Sequence, residues 1–273
     1  MTDTGIYRQR LTIRIGCSAL AFCATSGDSD SSKDTTRTIY EPFVVKSGVS
    51  MAANLREAFK TADLLQQPPQ RVRVMLDSDI MVMPVEQFDE SSYETIYCHS
   101  FPDNSQDVIY YTVLPDLNAV AVYAMNKDLR MVVDDHFQNV TLLPAMSPVW
   151  RHLHQRSFTG KQRKLYAYFH EGRLELLSFQ QNRFRFCNSF QTARAHDAIF
   201  FILYVWKQLM LEQEKDELHI VGDAPEREWL ESELHKYLQK VFFINPAADL
   251  NNHPVTEIKG MPYDMMTLIV KGR

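Results

Sequence analysis

Residues 165–221 read LYAYFHEGRLELLSFQQNRFRFCNSFQTARAHDAIFFILYVWKQLMLEQEKDELHIV. Three short runs, Leu165–His170, Leu174–Phe179 and Arg183–Phe190, are rich in aromatic and aliphatic residues and predict strands. Phe169, Phe179, Phe184, Phe186 and Phe190 mostly alternate with polar neighbours, the pattern of a strand with one face in a core. Ala195–Glu212 predicts a long helix and Leu218–Val221 a further strand. The same order occurs earlier, in Leu11–Ile15, Ser18–Ala24, Ile39–Lys46, a helix over Met51–Leu65 and a strand at Val72–Leu76. One unit written twice predicts an α/β fold of two duplicated lobes with a cleft between them.

The intervening sequence completes each lobe. Ala52, Leu55, Ala58, Phe59, Ala62 and Leu65 fall on one helical face, and Pro68-Pro69 ends that helix. Thr25–Thr38 lacks any large apolar residue and reads as a mobile loop. Ile80–Met83 is a strand, and Glu86–Gln106 has no clear period. Val108–Leu114 and Ala119–Met125 flank the turn Pro115-Asp116-Leu117-Asn118. Asn126 predicts an N-cap for a helix over Lys127–Phe137; Val140–Leu143 is a strand and Pro148–His154 a helix. The polar stretch His154–Lys164, with Gly160, divides the chain into lobes at 1–156 and 157–273. Later come a helix starting at Asp223, a strand at Val241–Ile244, a loop at Asn245–His253 and a last helix over Pro262–Val270.

Composition removes several function classes. A net charge of -5, with no dense basic face, argues against nucleic acid as a partner. The longest apolar run, Ala198–Trp206, is nine residues, short of the about 20 that span a bilayer. Met1–Arg10 has no apolar core of a signal peptide. Cys17, Cys23, Cys98 and Cys187 are scattered without a C-x-x-C pair, which argues against zinc and a redox dithiol. The expectation is a cytoplasmic chain with reduced thiols.

Two stretches carry a resemblance. Ala119–Leu129 followed by Val140–Pro144 resembles the strand–helix–strand unit that closes the first lobe of actin-like proteins, most nearly those of pilus assembly and type II secretion. Lys164–Leu238 resembles the nucleotide half of the same superfamily, with Leu218–Asp223 at the adenosine-side motif. The whole chain is similar to an uncharacterised bacterial family with an actin-like ATPase fold. That resemblance implies two actin-like, ribonuclease H-like lobes.

It also implies a site. Actin-like ATPases place an Asp-x-Gly in the first hairpin of each lobe, where the carboxylate holds the divalent ion of a nucleotide through water. Here the first hairpin has Arg14-Ile15-Gly16, so the glycine stands and the acid is an arginine. The second has Tyr168-Phe169-His170, with Glu171-Gly172 at the turn. The adenosine side keeps one glycine, in Gly222-Asp223. The candidate nucleotide positions are therefore Arg14, Gly16, Cys17, Ser18, Gly222 and Asp223.

Each has a simpler explanation. Arg14 shares a strand face with Thr12, opposite Leu11, Ile13 and Ile15, and reads as outward-facing. Asp223, with Pro225 and Glu226 behind it, reads as a helix cap. Asp28-x-Asp30-x-Ser32-x-Asp34 fails as a calcium loop, because Lys33 and Ile39 stand where Gly and Glu are needed. His152 and His154 are two apart and diverge on a helix. A ribonuclease H-like nuclease needs clustered carboxylates, and Leu11–Ile15 offers none. The reading is a degenerate, non-catalytic actin-like scaffold that binds another protein, a second copy of itself included, with no cofactor. The alternative is a divergent nucleotide binder or ATPase taking ATP with Mg²⁺ in the interlobe cleft.

Overall fold

The structure, a computed structural model, describes residues 8–27, 37–66, 71–192 and 194–272. Its first sheet takes β1 (Arg8–Ile15), β2 (Leu20–Gly27), β3 (Arg37–Phe43), β4 (Arg71–Leu76) and β8 (Val140–Pro144), in the order β3-β2-β1-β4-β8. The β1–β2 and β2–β3 pairs are antiparallel; β1–β4 and β4–β8 are parallel. The parallel joins need crossovers, supplied by α1 (Met51–Thr61) and α3 (Lys127–His136). Ala52, Leu55 and Ala58 of α1, with Leu129, Val132 and Val133 of α3, pack on Leu11, Ile13, Ile15, Val72 and Val74. Asn126 caps α3, its side chain accepting from the N–H groups of Asp128 and Leu129.

The second sheet repeats this topology. It takes β9 (Lys164–His170), β10 (Arg173–Gln180), β11 (Arg183–Gln191), β12 (Glu217–Gly222) and β13 (Val241–Phe243), in the order β11-β10-β9-β12-β13. Its antiparallel and parallel joins fall in the same places. Helices α5 (Ala195–Gln208) and α6 (Arg227–Leu234) cover one face, where Ile202, Val205, Leu230 and Leu234 meet Leu165, Ala167, Leu174 and Leu176. The opposite face carries α4 (Met146–Ser157) and α8 (Tyr263–Lys271). Trp150 meets Phe184 edge-on at 5.5 Å, and Tyr263 lies 5.8 Å from Tyr168. A β-bulge shifts the β10–β11 register, so that Phe184 opposes Phe179 while Phe186 opposes Ser178.

A third, three-stranded sheet joins β5 (Ile80–Pro84), β7 (Ala119–Met125) and β6 (Val108–Leu114) in the order β5-β7-β6. The polar stretch before it, unreadable by period, holds α2 (Tyr93–Ser100), and the loop expected at Asn245–His253 holds a short helix, α7 (Pro246–Asp249). The helix expected to reach Leu65 stops at Thr61 and resumes as a 3₁₀ turn over Asp63–Leu65. The loop expected at Thr25–Thr38 is strand at both ends; its middle, the Asp28–Asp34 spacing included, lies outside the described residues, as do Pro68 and Pro69.

The chain forms two compact units. One comprises Met1–Met81, Glu90–Thr112 and Val122–Ala145; the other comprises Val82–Asp89, Val113–Ala121 and Met146–Arg273. Helix α4 thus groups with the second sheet, and two short segments before residue 122 do the same.

Because Asn126 satisfies two N–H groups of α3, whose buried face is part of the first core, Asn126→Ala should cost about 0.5–2 kcal/mol. Denaturant unfolding of the two proteins checks this.

Candidate functional site

The first hairpin turns at Gly16, whose N–H donates to the Ala19 carbonyl at 2.8 Å. Cys17 and Ser18 form the exposed tip. Arg14, two residues earlier, is not outward-facing: it is 3% exposed, and Thr12 beside it is 6% exposed. The sequence reading assumed one wet face of β1, but Ala21, Cys23 and Met75 on neighbouring strands are buried too. Burial pushes the Cys23 thiol up to about 12.

A buried guanidinium requires a counter-charge. It finds one in Asp77, just past the end of β4, at 4.0 Å. The Asp77 side chain is itself 2% exposed, and its N–H donates to the Ile15 carbonyl at 2.9 Å, which fixes it across from β1. The Cys17 Sγ lies 3.8 Å from the same carboxylate. Position 14 is where the resemblance calls for a metal-holding acid. A divalent cation on a triphosphate wants oxygen ligands and waters, whereas this position supplies a permanent positive charge with its own acid against it. These residues do not fit a magnesium nucleotide. Among the described residues, no group of three or more His, Cys, Asp and Glu side chains is arranged to hold a metal ion.

The second hairpin turns at Glu171 and Gly172, both with positive φ, the geometry of a tight two-residue turn. The residue at the acid's position, Tyr168, is 1% exposed, lies 3.3 Å through its hydroxyl from buried Asp264, and stacks on His170 at 4.8 Å. His170 Nε2 is 3.4 Å from Glu175.

Gly222 ends β12 with φ +91°. A Cβ there would sit 2.0 Å from the Phe169 carbonyl oxygen, so the position accepts glycine alone. Close strand approach explains this glycine without a ligand. Asp223 follows it, exposed, with its N–H donating to that same carbonyl at 3.1 Å. The cap expected of Asp223 is not formed. Helix α6 begins only at Arg227, behind Glu226, which adopts a left-handed conformation and makes no side-chain cap. Pro225 lies in the preceding turn and not in the helix. Arg14, Gly16, Cys17 and Ser18 therefore share one hairpin and its neighbouring strand, and Gly222 and Asp223 mark the end of a strand in the other unit.

The most elaborate polar cluster was not legible in sequence. Asp249 of α7 accepts hydrogen bonds from His152 Nε2 at 2.6 Å, from the Tyr263 hydroxyl at 2.6 Å and from Arg156. One carboxylate, 2% exposed, thus ties α4, α7 and α8 together. Burial opposes its ionisation, but the His152 and Tyr263 hydrogen bonds and the Arg156 charge hold it below the usual carboxylate range. Burial beside that charge drives the Tyr263 hydroxyl upward. His154, by contrast, points to the Gln181 carbonyl at 2.9 Å, so the two histidines do diverge. His152 and Arg156 lie about 95 residues from Asp249 in sequence, Tyr263 14, and no local spacing announces them. This arrangement is a lock between helices.

One cavity of about 290 Å³ is lined by Met83, Pro84, Asn118, Arg183, Arg185 and Cys187 among others. Its cations are committed. Arg183 donates to Glu86 at 2.7 Å, and Arg185, the residue the bulge inserts, donates to the Leu209 carbonyl at the end of α5. It is not built as an anion site.

Comparison with known proteins gives the lineage. The sequence profile of a family described as a protein of unknown function, DUF3822, matches residues 2–241. No functionally curated protein matches the chain. Among solved structures, a Bacteroides thetaiotaomicron protein with an actin-like ATPase fold and unknown function superimposes with a TM-score of 0.81 at 26% identity, over 95% of this chain and all of that one. A chain of the PilM-PilN type IV pilus biogenesis complex matches with a TM-score of 0.53 at 15% identity, over 96% of this chain and 94% of its own. A looser likeness, at TM-score 0.41 and 13% identity over 80% and 84% of the two chains, is to the cytoplasmic domain of EpsL, an inner-membrane component of the Vibrio cholerae type II secretion system. The fold is that of the actin-like ATPases, two α/β lobes, as the duplicated pattern implied.

Two measurements test the polar pairs. Arg14→Met should cost about 3–5 kcal/mol by removing the positive charge set against buried Asp77, while Arg14→Met with Asp77→Asn should cost less than the sum of the single changes; additive losses would mean that the two do not interact. For Asp249, the depressed folded value means that its contribution is complete above the ordinary carboxylate pKa of about 4 and is lost as pH falls through the lower, folded value. Asp249→Asn should therefore lose stability at pH 7 and show a shallower decline between pH 5 and pH 2, read from urea unfolding at each pH.

Proposed function

The chain belongs to the DUF3822 family, and from that premise we propose that it is a non-catalytic actin-like scaffold of the cytoplasm, working by binding another protein and holding no nucleotide or metal. The observation that carries this reading is the buried Arg14–Asp77 pair in the first hairpin. Phosphoryl chemistry in this fold depends on a cation held by hairpin acids. A guanidinium in that place repels the cation, and Tyr168 in the second hairpin cannot replace the missing charge.

Three further observations agree. Gly222, the one glycine retained at the adenosine side, is explained by its contact with the Phe169 carbonyl. The PilM-PilN complex contains a chain of this fold assembled with a second protein, so the fold is compatible with partner recruitment. No helix among the described residues is long and apolar enough to cross a membrane.

Thermal unfolding with and without millimolar ATP and Mg²⁺ tests the reading. A nucleotide at about 100 times its dissociation constant would add about 2.7 kcal/mol. The expected result is no shift. A shift of that size, removed by Cys17→Trp at the exposed hairpin tip, would overturn the proposal in favour of a working nucleotide site.

A further inference from the structure

Helix α5 is anchored by one face and unclothed on the other. Ile202, Val205 and Trp206 are buried in the second core, and Phe201 stacks on Phe190 at 4.4 Å. On the outer face Phe200 is 62% exposed and Tyr204 51% exposed. Their rings stack on each other, centroids 6.1 Å apart and 15° from parallel, as an aromatic ledge one helical turn long. Asp197 stands on the same exposed stripe toward the N-terminus and Lys207 toward the C-terminus, both exposed. Gln208 ends the stripe at one side, and His196, exposed at the other, lies with its ring 4.2 Å from that of Trp229 in α6.

These positions are symmetric about residue 202. Phe200 and Tyr204 lie two residues either side of it, Asp197 and Lys207 five, and His196 and Gln208 six. A two-fold axis on the outer face at the level of residue 202, with two helices antiparallel, brings each Phe200 level with a Tyr204 and each Asp197 level with a Lys207. The stripe is its own complement in both shape class and charge, which is what an isologous interface requires. The antiparallel arrangement also opposes the two helix dipoles. We propose that the outer face of α5 is a self-association surface, and that its occupant is α5 of a second copy of this chain. This rests on the protein-binding reading above and names the partner.

The helix has 14 residues and so is about 21 Å long. A contact of one such helix with another falls below the about 1,200 Å² of a standard stable interface. The dimer is accordingly weak and concentration-dependent. The aromatic ledge supplies its centre, and the two symmetry-related ion pairs set its direction.

Sedimentation equilibrium of the full chain up to about 1 mM tests it, with circular dichroism to verify that each variant folds. The expected result is a monomer–dimer equilibrium that Phe200→Glu abolishes. Asp197→Lys and Lys207→Asp should each weaken it about tenfold, and the double reversal should restore it, because each reversed residue again meets its opposite across the axis. A monomer at every concentration overturns the proposal. So does a dimer indifferent to Phe200→Glu. If Asp197 and Lys207 serve only their own helix dipole, the double reversal lowers thermal stability without restoring association, and the proposal fails on that outcome too. Each of these failures leaves the scaffold reading standing, while an ATP-induced stabilisation would overturn that reading and leave the α5 result untouched.

Discussion

A strand at the centre of a sheet covered on both faces has no wet side, and every polar atom on it must find a partner within the protein. β1 and β9 are such strands. Each pairs antiparallel on one side and parallel on the other, and their residues are buried over Leu11–Ile15 of β1 and throughout β9. That constraint decides the chemistry of both hairpins. It sets Arg14 against Asp77, Tyr168 against Asp264, and, on the adjoining strand, His219 against Glu217 at 2.9 Å. Burial then holds the His219 imidazole toward its neutral form, although Glu217 opposes this. Polar side chains that look like a site in sequence are consumed here by the cost of burying them.

The same accounting bears on function. The actin-like fold normally directs the acids of its hairpins toward a cation; in this chain the first hairpin's acid comes from the end of β4 and faces an arginine. The packing of α1 and α3 on one sheet, and of α5 and α6 on the other, is built from apolar residues outside the candidate nucleotide positions. Architecture and catalysis are separable for that reason.

What was legible in sequence follows the range of each interaction. The succession of strands and helices along the chain could be read because apolar runs and turn residues are local, and Asn126 could be named as a cap because its partners lie two and three residues away. Asp223 misled by the same logic: its spacing to Pro225 and Glu226 fits a cap, but the close approach of Gly222 to Phe169 bends the chain away and delays the helix to Arg227. Arg14 misled because alternation implies one wet face only when nothing covers it. The Asp249 cluster was invisible because two of its partners come from α4, far back in the chain, and α7, which carries it, is too short to show a period.

The bulge in β11 has one more consequence. By inserting Arg185 it reverses the phase of the strand, so Phe184 faces Trp150 on one side while Phe186 and Phe190 join the core on the other. β11 is the outermost strand of its sheet, the kind of border where foreign strands add and aggregates begin. An intruding strand would have to flatten the kink, pull an aromatic ring out of each layer and strip the guanidinium from the end of α5. The irregularity thus guards the border of the sheet by tying it to the packing on both of its sides.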